Sequence, residues 1–218
     1  MKGILLINLG SPNDLSSSSI KNFLTEFLSD DLVVDYPKFI QQPLVRGIIV
    51  PFRYKNTQSA YKEVWTENGS PLILTTRNLA QELSNETSLP VEIAMRYQNP
   101  SIREGLDALA NRGCTKIKVV PLYPHFAIST TLTTKLKVEE ELTKMDLGMQ
   151  VEYIDSFFDS RLYIQALSSI IKENMDPESD LLLFSYHGIP KRHLKKATKE
   201  RNHSEELCID SKCNIKNF

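Results

Sequence analysis

No stretch of the 218 residues approaches the roughly 20 consecutive apolar residues that a membrane-crossing helix needs. The short apolar run at residues 3–7 has no small-residue cleavage site after it, so it reads as a first strand and not as a secretion signal. Cysteine is scarce. Cys114, Cys208 and Cys213 are the three present, too scattered for a disulfide framework, and a cytoplasmic, reducing location is expected. Neither sign of charge is in excess: a formal net charge of -1 leaves no electrostatic footprint for a polyanion, and no nucleic-acid partner is expected. Glycine-rich cradles are missing too. No G-x-G-x-x-G follows the first strand, no G-x-x-x-x-G-K-[ST] occurs, and there is no G-x-S-x-G elbow, which disfavours a dinucleotide fold, a P-loop and an α/β-hydrolase. Internal repeats at solenoid periods and low-complexity linkers are absent as well.

What is present is ample apolar content, 41% of the chain, enough for one large or two small domains. Short apolar runs at residues 3–8, 91–95, 116–120, 151–154 and 181–186 predict five strands. Helical periodicity separates them. Ser70-Pro71 reads as an N-cap with proline at the first helical position, followed by Leu72, Thr76, Leu79, Ala80 and Leu83 at a 3.6-residue period. Ile102, Leu106, Leu109 and Ala110 make a second stripe ended by Gly113, and Tyr163, Ala166, Leu167 and Ile170 a third. The serine cluster at 16–19 reads as a helix entry. Strands alternating with helices imply an α/β fold around a mostly parallel sheet. Residues 30–69, with Pro37, Pro43 and Pro51 among apolar residues, are expected to hold short helices within a binding excursion. From Lys191 onward the chain turns basic and polar, and neither a strand nor a helix with an apolar face is expected there.

Ligands of open α/β sheets bind outside the carboxyl ends of the strands. Those ends carry Leu9-Gly10-Ser11-Pro12, Arg96-Tyr97, Tyr123-Pro124-His125-Phe126 and His187-Gly188. One guanidinium, several rings and two imidazoles suit a flat, partly apolar, anionic ligand, because rings stack on faces and arginine pairs with carboxylates. His187 has two readings, a structural histidine beside an apolar strand or a functional one exposed at a strand end. Ser185 shares a strand face with it, yet no acid stands by to orient the imidazole as in a triad. His125, between Pro124 and Phe126, reads as packing, and His193 and His203 as solvated. Cys208 and Cys213, with His203 before them, fall short of the four ligands of a zinc site and read as surface thiols.

Four ordered segments, "GILLINLGSP", "FRYKNTQSAYKEVWTENGSPL", "AMRYQNPSIREGLDALANRGCTKIKVVPLYPHFAISTT" and "LLLFSYHGIPKRH", together resemble the ferrochelatase family, whose members insert ferrous iron into a porphyrin in haem biosynthesis. The resemblance implies a lyase that forms nitrogen–metal bonds. It implies Rossmann-like lobes, each a parallel four-stranded sheet flanked by helices, with the porphyrin cleft between them. Residues 1–150 then correspond to the first lobe, with a porphyrin lip at about 30–70, and 151–218 to the start of a second, incomplete lobe. By the same resemblance His187 is the catalytic histidine facing the porphyrin centre and the incoming metal. Arg53, Tyr61, Ser70, Arg96, Tyr97 and Tyr123 match positions that hold the macrocycle. Leu9 stands where some relatives carry tyrosine, which removes an axial oxygen ligand at that position.

The chemistry fits an apolar strand that ends in histidine. A free-base porphyrin carries two N–H protons where the metal must enter, and a neutral imidazole can accept protons or hold the cation. An apolar cleft for the ring faces also disfavours the imidazolium. The family supplies a partner carboxylate in a later segment. No acid after His187 stands in a matching motif, so the chain is expected to be an incomplete ferrochelatase, inactive by itself. Ferrous iron is expected as substrate, protoporphyrin IX is favoured over coproporphyrin III, and no prosthetic group is expected. Some relatives hold a [2Fe–2S] cluster near the place of Cys208 and Cys213, but two cysteines do not supply its four ligands. Two other readings stay open: a non-catalytic porphyrin- or haem-binding remnant, and a cobalt or nickel tetrapyrrole chelatase. The apolar stretch at 45–52 reads as cleft wall or as a peripheral membrane contact.

Overall fold

The expected run at residues 3–8 forms β1 (Lys2–Gly10), and its alternating side chains enter two different cores. The structure, a computed structural model, describes residues 1–154, 156–179 and 181–200. It divides into two units, Met1–Leu122 with Ser129–Ile154, and Tyr123–Ile128 with Asp155–Phe218.

In the first unit the chain runs from β1 into α1 (Ser17–Leu28). The Ser16 hydroxyl caps this helix by accepting from the Ser19 amide at 3.2 Å, as the serine cluster predicts. Residues 30–69 are more continuous than expected. A short α2 (Lys38–Pro43) passes through a π-helical stretch, Leu44–Ile49, into α3 (Val50–Val64). Pro51 causes no break, lying where the π-helical stretch gives way to the first turn of α3. Next come α4 (Pro71–Thr87), β2 (Val91–Tyr97), α5 (Ile102–Asn111), β3 (Lys116–Pro121), α6 (Thr133–Lys144) and β4 (Gln150–Tyr153). Ser70 and Pro71 open α4 where the sequence places them.

The four strands are parallel, in the order β2-β1-β3-β4. Leu5 and Ile7 of β1 face α5 and α6, in a core with Ala94, Leu106, Leu109, Val119 and Val138. Ile4 and Leu6 face α4, meeting Ala80 and Leu83. Burial on both faces explains why β1 reads as a continuous apolar run and not as an alternating one. A third core joins Ile20, Leu24 and Leu28 of α1 to Val45 and Val50.

The second unit differs from expectation in three places. Residues 181–190 form no strand and are exposed, with Leu183 at 84%. A strand needs a neighbour for its amides and carbonyls, and no neighbouring strand lies beside this run among the described residues. The polar tail does start a helix: α8 (Lys191–Glu200) follows α7 (Arg161–Asn174). Lysine is a good helix former, and the Pro190 carbonyl accepts from the His193 amide at 2.8 Å in the first turn. His193, expected in solvent, is buried at 4% exposure together with Ala197, one turn along the same helix face.

Candidate functional site

The carboxyl rim of the sheet in the first unit is drawn together by a glycine. Gly10 ends β1 with φ +109, and a Cβ there would lie 1.9 Å from the Tyr97 carbonyl oxygen. Only glycine lets the β1 turn close onto the end of β2. Beside that turn Ser70 caps α4 through its carbonyl, which accepts from the Ile73 and Leu74 amides at 3.1 Å each. Its side chain makes no cap bond. Ser70 is buried and borders a cavity of 310 Å³ at the rim, which Trp65, Arg77 and Asn99 also line.

A file of rings crosses the unit. Trp65 meets Tyr61 edge-on at 6.1 Å between centroids, and Tyr61 meets Phe23 edge-on at 6.0 Å. Phe23 stacks on Phe27 at 6.1 Å, and Phe27 meets Tyr97 edge-on at 5.1 Å. Such pairs add about 0.5–1.5 kcal/mol each beyond area burial. The fold thereby links two expected site residues, Tyr61 on α3 and Tyr97 on β2. Burial pushes the Tyr61 phenol up, with the nearby Ser11 hydroxyl pulling the other way. Arg53, eight residues before Tyr61 on the same helix and about 12 Å away along its axis, is exposed.

At the end of β2 lies a polar knot that sequence reasoning missed. One oxygen of Asp30, Oδ2, accepts from Arg96 Nη2 at 2.5 Å, from the Tyr97 hydroxyl at 2.8 Å and from Thr133 Oγ1 at 2.5 Å. Arg96 Nε donates to Thr133 Oγ1 at 2.8 Å, and the guanidinium lies 4.4 Å from the Tyr97 ring centroid. The Arg96 and Asp30 side chains are only 13% and 7% exposed. A buried pair of this kind, broken by removal of one partner, costs about 3–5 kcal/mol. Burial above all pushes the Tyr97 phenol far above its ordinary value; the Arg96 cation opposes this and the Asp30 carboxylate adds to it. Local pattern holds no signal for Asp30, because its partners lie 66, 67 and 103 residues away. Phe23 and Phe27, four apart on α1, were within reach of helical periodicity.

The second unit holds Tyr123, half-buried, and His187, exposed within the segment that forms no strand. His125 packs as expected, its ring stacked on Phe158 at 5.2 Å with 12° between planes. Glu200's side chain, His203, Glu205, Glu206, Cys208, Asp210 and Cys213 lie outside the described residues. Among the described residues no group of three or more His, Cys, Asp or Glu is placed to hold a metal ion, and no helix is long and apolar enough to cross a membrane. The first unit thus offers an aromatic wall, a small rim cavity and a guanidinium already held by an internal carboxylate.

The family model described as Ferrochelatase matches residues 1–211. The ferrochelatase of Opitutus terrae is 39% identical over 216 residues, covering 98% of this chain and 62% of that protein. That of Photobacterium profundum is 40% identical over 195 residues, covering 88% and 60%. That of Pseudomonas entomophila is 36% identical over 217 residues, covering 98% and 64%. The chain therefore spans somewhat less than two thirds of the length of the curated relatives it matches.

Proposed function

We propose, from the premise that the chain belongs to the ferrochelatase family, that it provides the porphyrin-holding wall and the metal-facing histidine of an iron chelatase. The reaction is the exchange of two pyrrole protons for ferrous iron, with protoporphyrin IX favoured over coproporphyrin III. It is a lyase reaction, because a nitrogen–metal bond forms, and iron enters as substrate. In this reading residues 1–150 are the first lobe and residues 151–218 the start of the second.

Each residue then has a task. Arg53, outward-facing on the lip, meets a propionate. Tyr61, Ser70, Arg96, Tyr97 and Tyr123 bound the macrocycle. The His187 imidazole accepts a pyrrole proton and faces the incoming cation. The observation that carries the reading is the family match across residues 1–211, which spans every one of these positions. The rim supports it, because Gly10 and the ring file from Trp65 to Tyr97 link Tyr61 and Tyr97 at the end of the sheet where open α/β folds bind ligands.

The test is a titration of free-base protoporphyrin IX, followed by ferrous iron under anaerobic conditions, with the Soret band and fluorescence as readouts. The expected result is porphyrin binding without repeated metal insertion by the 218-residue chain, since His187 is exposed. Multiple turnovers that vanish in His187→Ala would show the chain to be a complete catalyst. Binding indifferent to both His187→Ala and Tyr61→Ala would sink the site assignment. A Soret shift with no insertion under any condition, not even a single turnover, favours a non-catalytic porphyrin-binding protein. Cytoplasmic residence belongs to the same proposal, with peripheral membrane contact through the lip, where Phe39 and Phe52 are 78% and 79% exposed. Flotation with liposomes tests that contact.

A further inference from the structure

The candidate rim contains a cation that has already found its anion. Arg96 reads from sequence as the arginine that pairs with a ligand carboxylate, yet its Nη2 and Nε are engaged by Asp30 and Thr133. The three residues close a ring: Arg96 donates to both partners, and the Thr133 hydroxyl donates in turn to the same Asp30 oxygen. The ring joins three parts of the fold, the chain just after α1, the end of β2 and the first turn of α6. Neighbouring charges are otherwise occupied. Lys38 pairs with Asp31 at 3.5 Å, and Lys137 with Glu140 at 3.1 Å and Glu141 at 2.8 Å.

We infer that Asp30 is a positioning residue for the porphyrin-facing rim, and that Arg96 acts through Tyr97 as a fixed, neutralised strut and not as a free carboxylate clamp. This rests on the porphyrin reading above for its consequence, though not for its geometry. The Tyr97 ring has two rotatable side-chain bonds. Asp30 holds its hydroxyl, Arg96 covers its face and Phe27 meets it edge-on. Tyr97, wholly buried, is the inner end of the file that leads through Phe27 and Phe23 out to Tyr61 and Trp65, so it acts on the wall by backing it. One carboxylate oxygen therefore fixes the buried end of the aromatic file. In this arrangement a ligand carboxylate has to look to a different cation, and Arg53, exposed on α3, is the expected site residue that can provide it.

The test compares Asp30→Asn, Thr133→Val and Thr133→Ser with the wild-type 218-residue chain. A ligand-free readout is the chemical shift and alkaline titration of the Tyr97 ring carbon that bears the hydroxyl, assigned through Tyr97→Phe. A ligand readout is fluorescence quenching by free-base protoporphyrin IX. In Asp30→Asn the Tyr97 titration is expected to move down, because the carboxylate that opposes ionisation is gone and the Arg96 cation acts alone. The porphyrin dissociation constant is expected to rise about tenfold, while circular dichroism shows the fold retained. Thr133→Val is expected to raise the dissociation constant likewise but to move the Tyr97 titration up, because the Thr133 hydroxyl that eases ionisation is gone, and Thr133→Ser, which keeps the hydroxyl, to restore both. If Asp30→Asn fails to fold, the two Thr133 variants carry the same comparison. A folded variant that melts lower but keeps the Tyr97 titration and the dissociation constant would make Asp30 merely structural and overturn the inference. If the wild-type chain quenches nothing, the porphyrin reading falls, and the Tyr97 titration alone decides whether Asp30 holds the ring.

Discussion

The segments "KIKVVP" at 116–121 and "LLLFSY" at 181–186 are both apolar runs with strand character, and they end in opposite states. The first is β3, hydrogen-bonded to β1 on one side and β4 on the other, with Val119 fully buried. The second has no ladder, and Leu181, Leu183 and Tyr186 are 81%, 84% and 78% exposed. Composition would rank them the other way, since the second is the more hydrophobic. Strand propensity is the capacity to fit a pleated, half-buried surface, and it is realised only where a neighbour supplies that surface. The helices repeat the contrast. Both α5 and α7 carry a regular apolar stripe. Ile102, Leu106 and Leu109 of α5 are buried against the sheet, whereas Leu162, Ile164 and Ile170 of α7 remain exposed. A stripe of hydrophobic side chains stabilises nothing until something covers it.

Cavity-forming substitutions sharpen this contrast most. Leu106→Ala is expected to lower stability to urea by about 2–5 kcal/mol, because a fully buried leucine leaves a cavity. Leu183→Ala is expected to stay within about 0.5 kcal/mol of wild type, as exposed side chains do. Equal losses in the two variants would show residues 181–186 to be packed, and the contrast would collapse.

Alkaline pH gives the next effect, and it belongs to the first unit. The Tyr97 and Tyr153 phenols are both raised, chiefly by burial, with hydrogen-bonded Asp30 and Glu139 contributing in turn. An unfolded phenol ionises near pH 10 while these two hold their protons, so their contribution is whole below about 10 and is lost as pH rises above it. The slope approaches about 1.4 kcal/mol per pH unit for each group. Urea midpoints at pH 9 and 11 are therefore expected to fall less steeply in Tyr97→Phe than in wild type. Parallel slopes would mean that Tyr97 titrates as a solvated phenol.

Helix caps give the smallest effect. Ser101 opens α5 with a full capping box, its hydroxyl accepting from the Glu104 amide at 3.2 Å and its own amide donating to Glu104 at 2.6 Å. Ser160 stands at the same place before α7 and makes no side-chain cap bond. Ser101→Ala is expected to cost about 1 kcal/mol and Ser160→Ala much less, both measured by chemical denaturation. Comparable costs would mean that α7 is capped in solution as firmly as α5.

Much of the first unit was legible because its signals are local. The four strands lie within a few residues of their expected places, Ser70-Pro71 opens α4, and Ser16 caps α1. The capping box of α5 was also there to be read in the Ser-x-x-Glu spacing of Ser101 and Glu104. Residues 30–69 do hold helices as expected, but they run on from the short α2 into α3 more continuously than their prolines suggested. The tail helix was missed because, among its described side chains, the buried ones are only His193 and Ala197.

By itself the sequence determined the order and kind of the elements in the first unit, through periodicity, caps and turn residues that act within a few positions of one another. Its ordered motifs also determined the family. Tertiary structure alone decided which apolar runs are buried, since β3 and the segment at 181–186 differ in their neighbours more than in their residues. It also decided that Asp30 is the partner of Arg96, Tyr97 and Thr133. A hydrogen bond across 66 residues or more leaves no trace in local pattern, because the groups meet only after the sheet and its helices have brought those segments together.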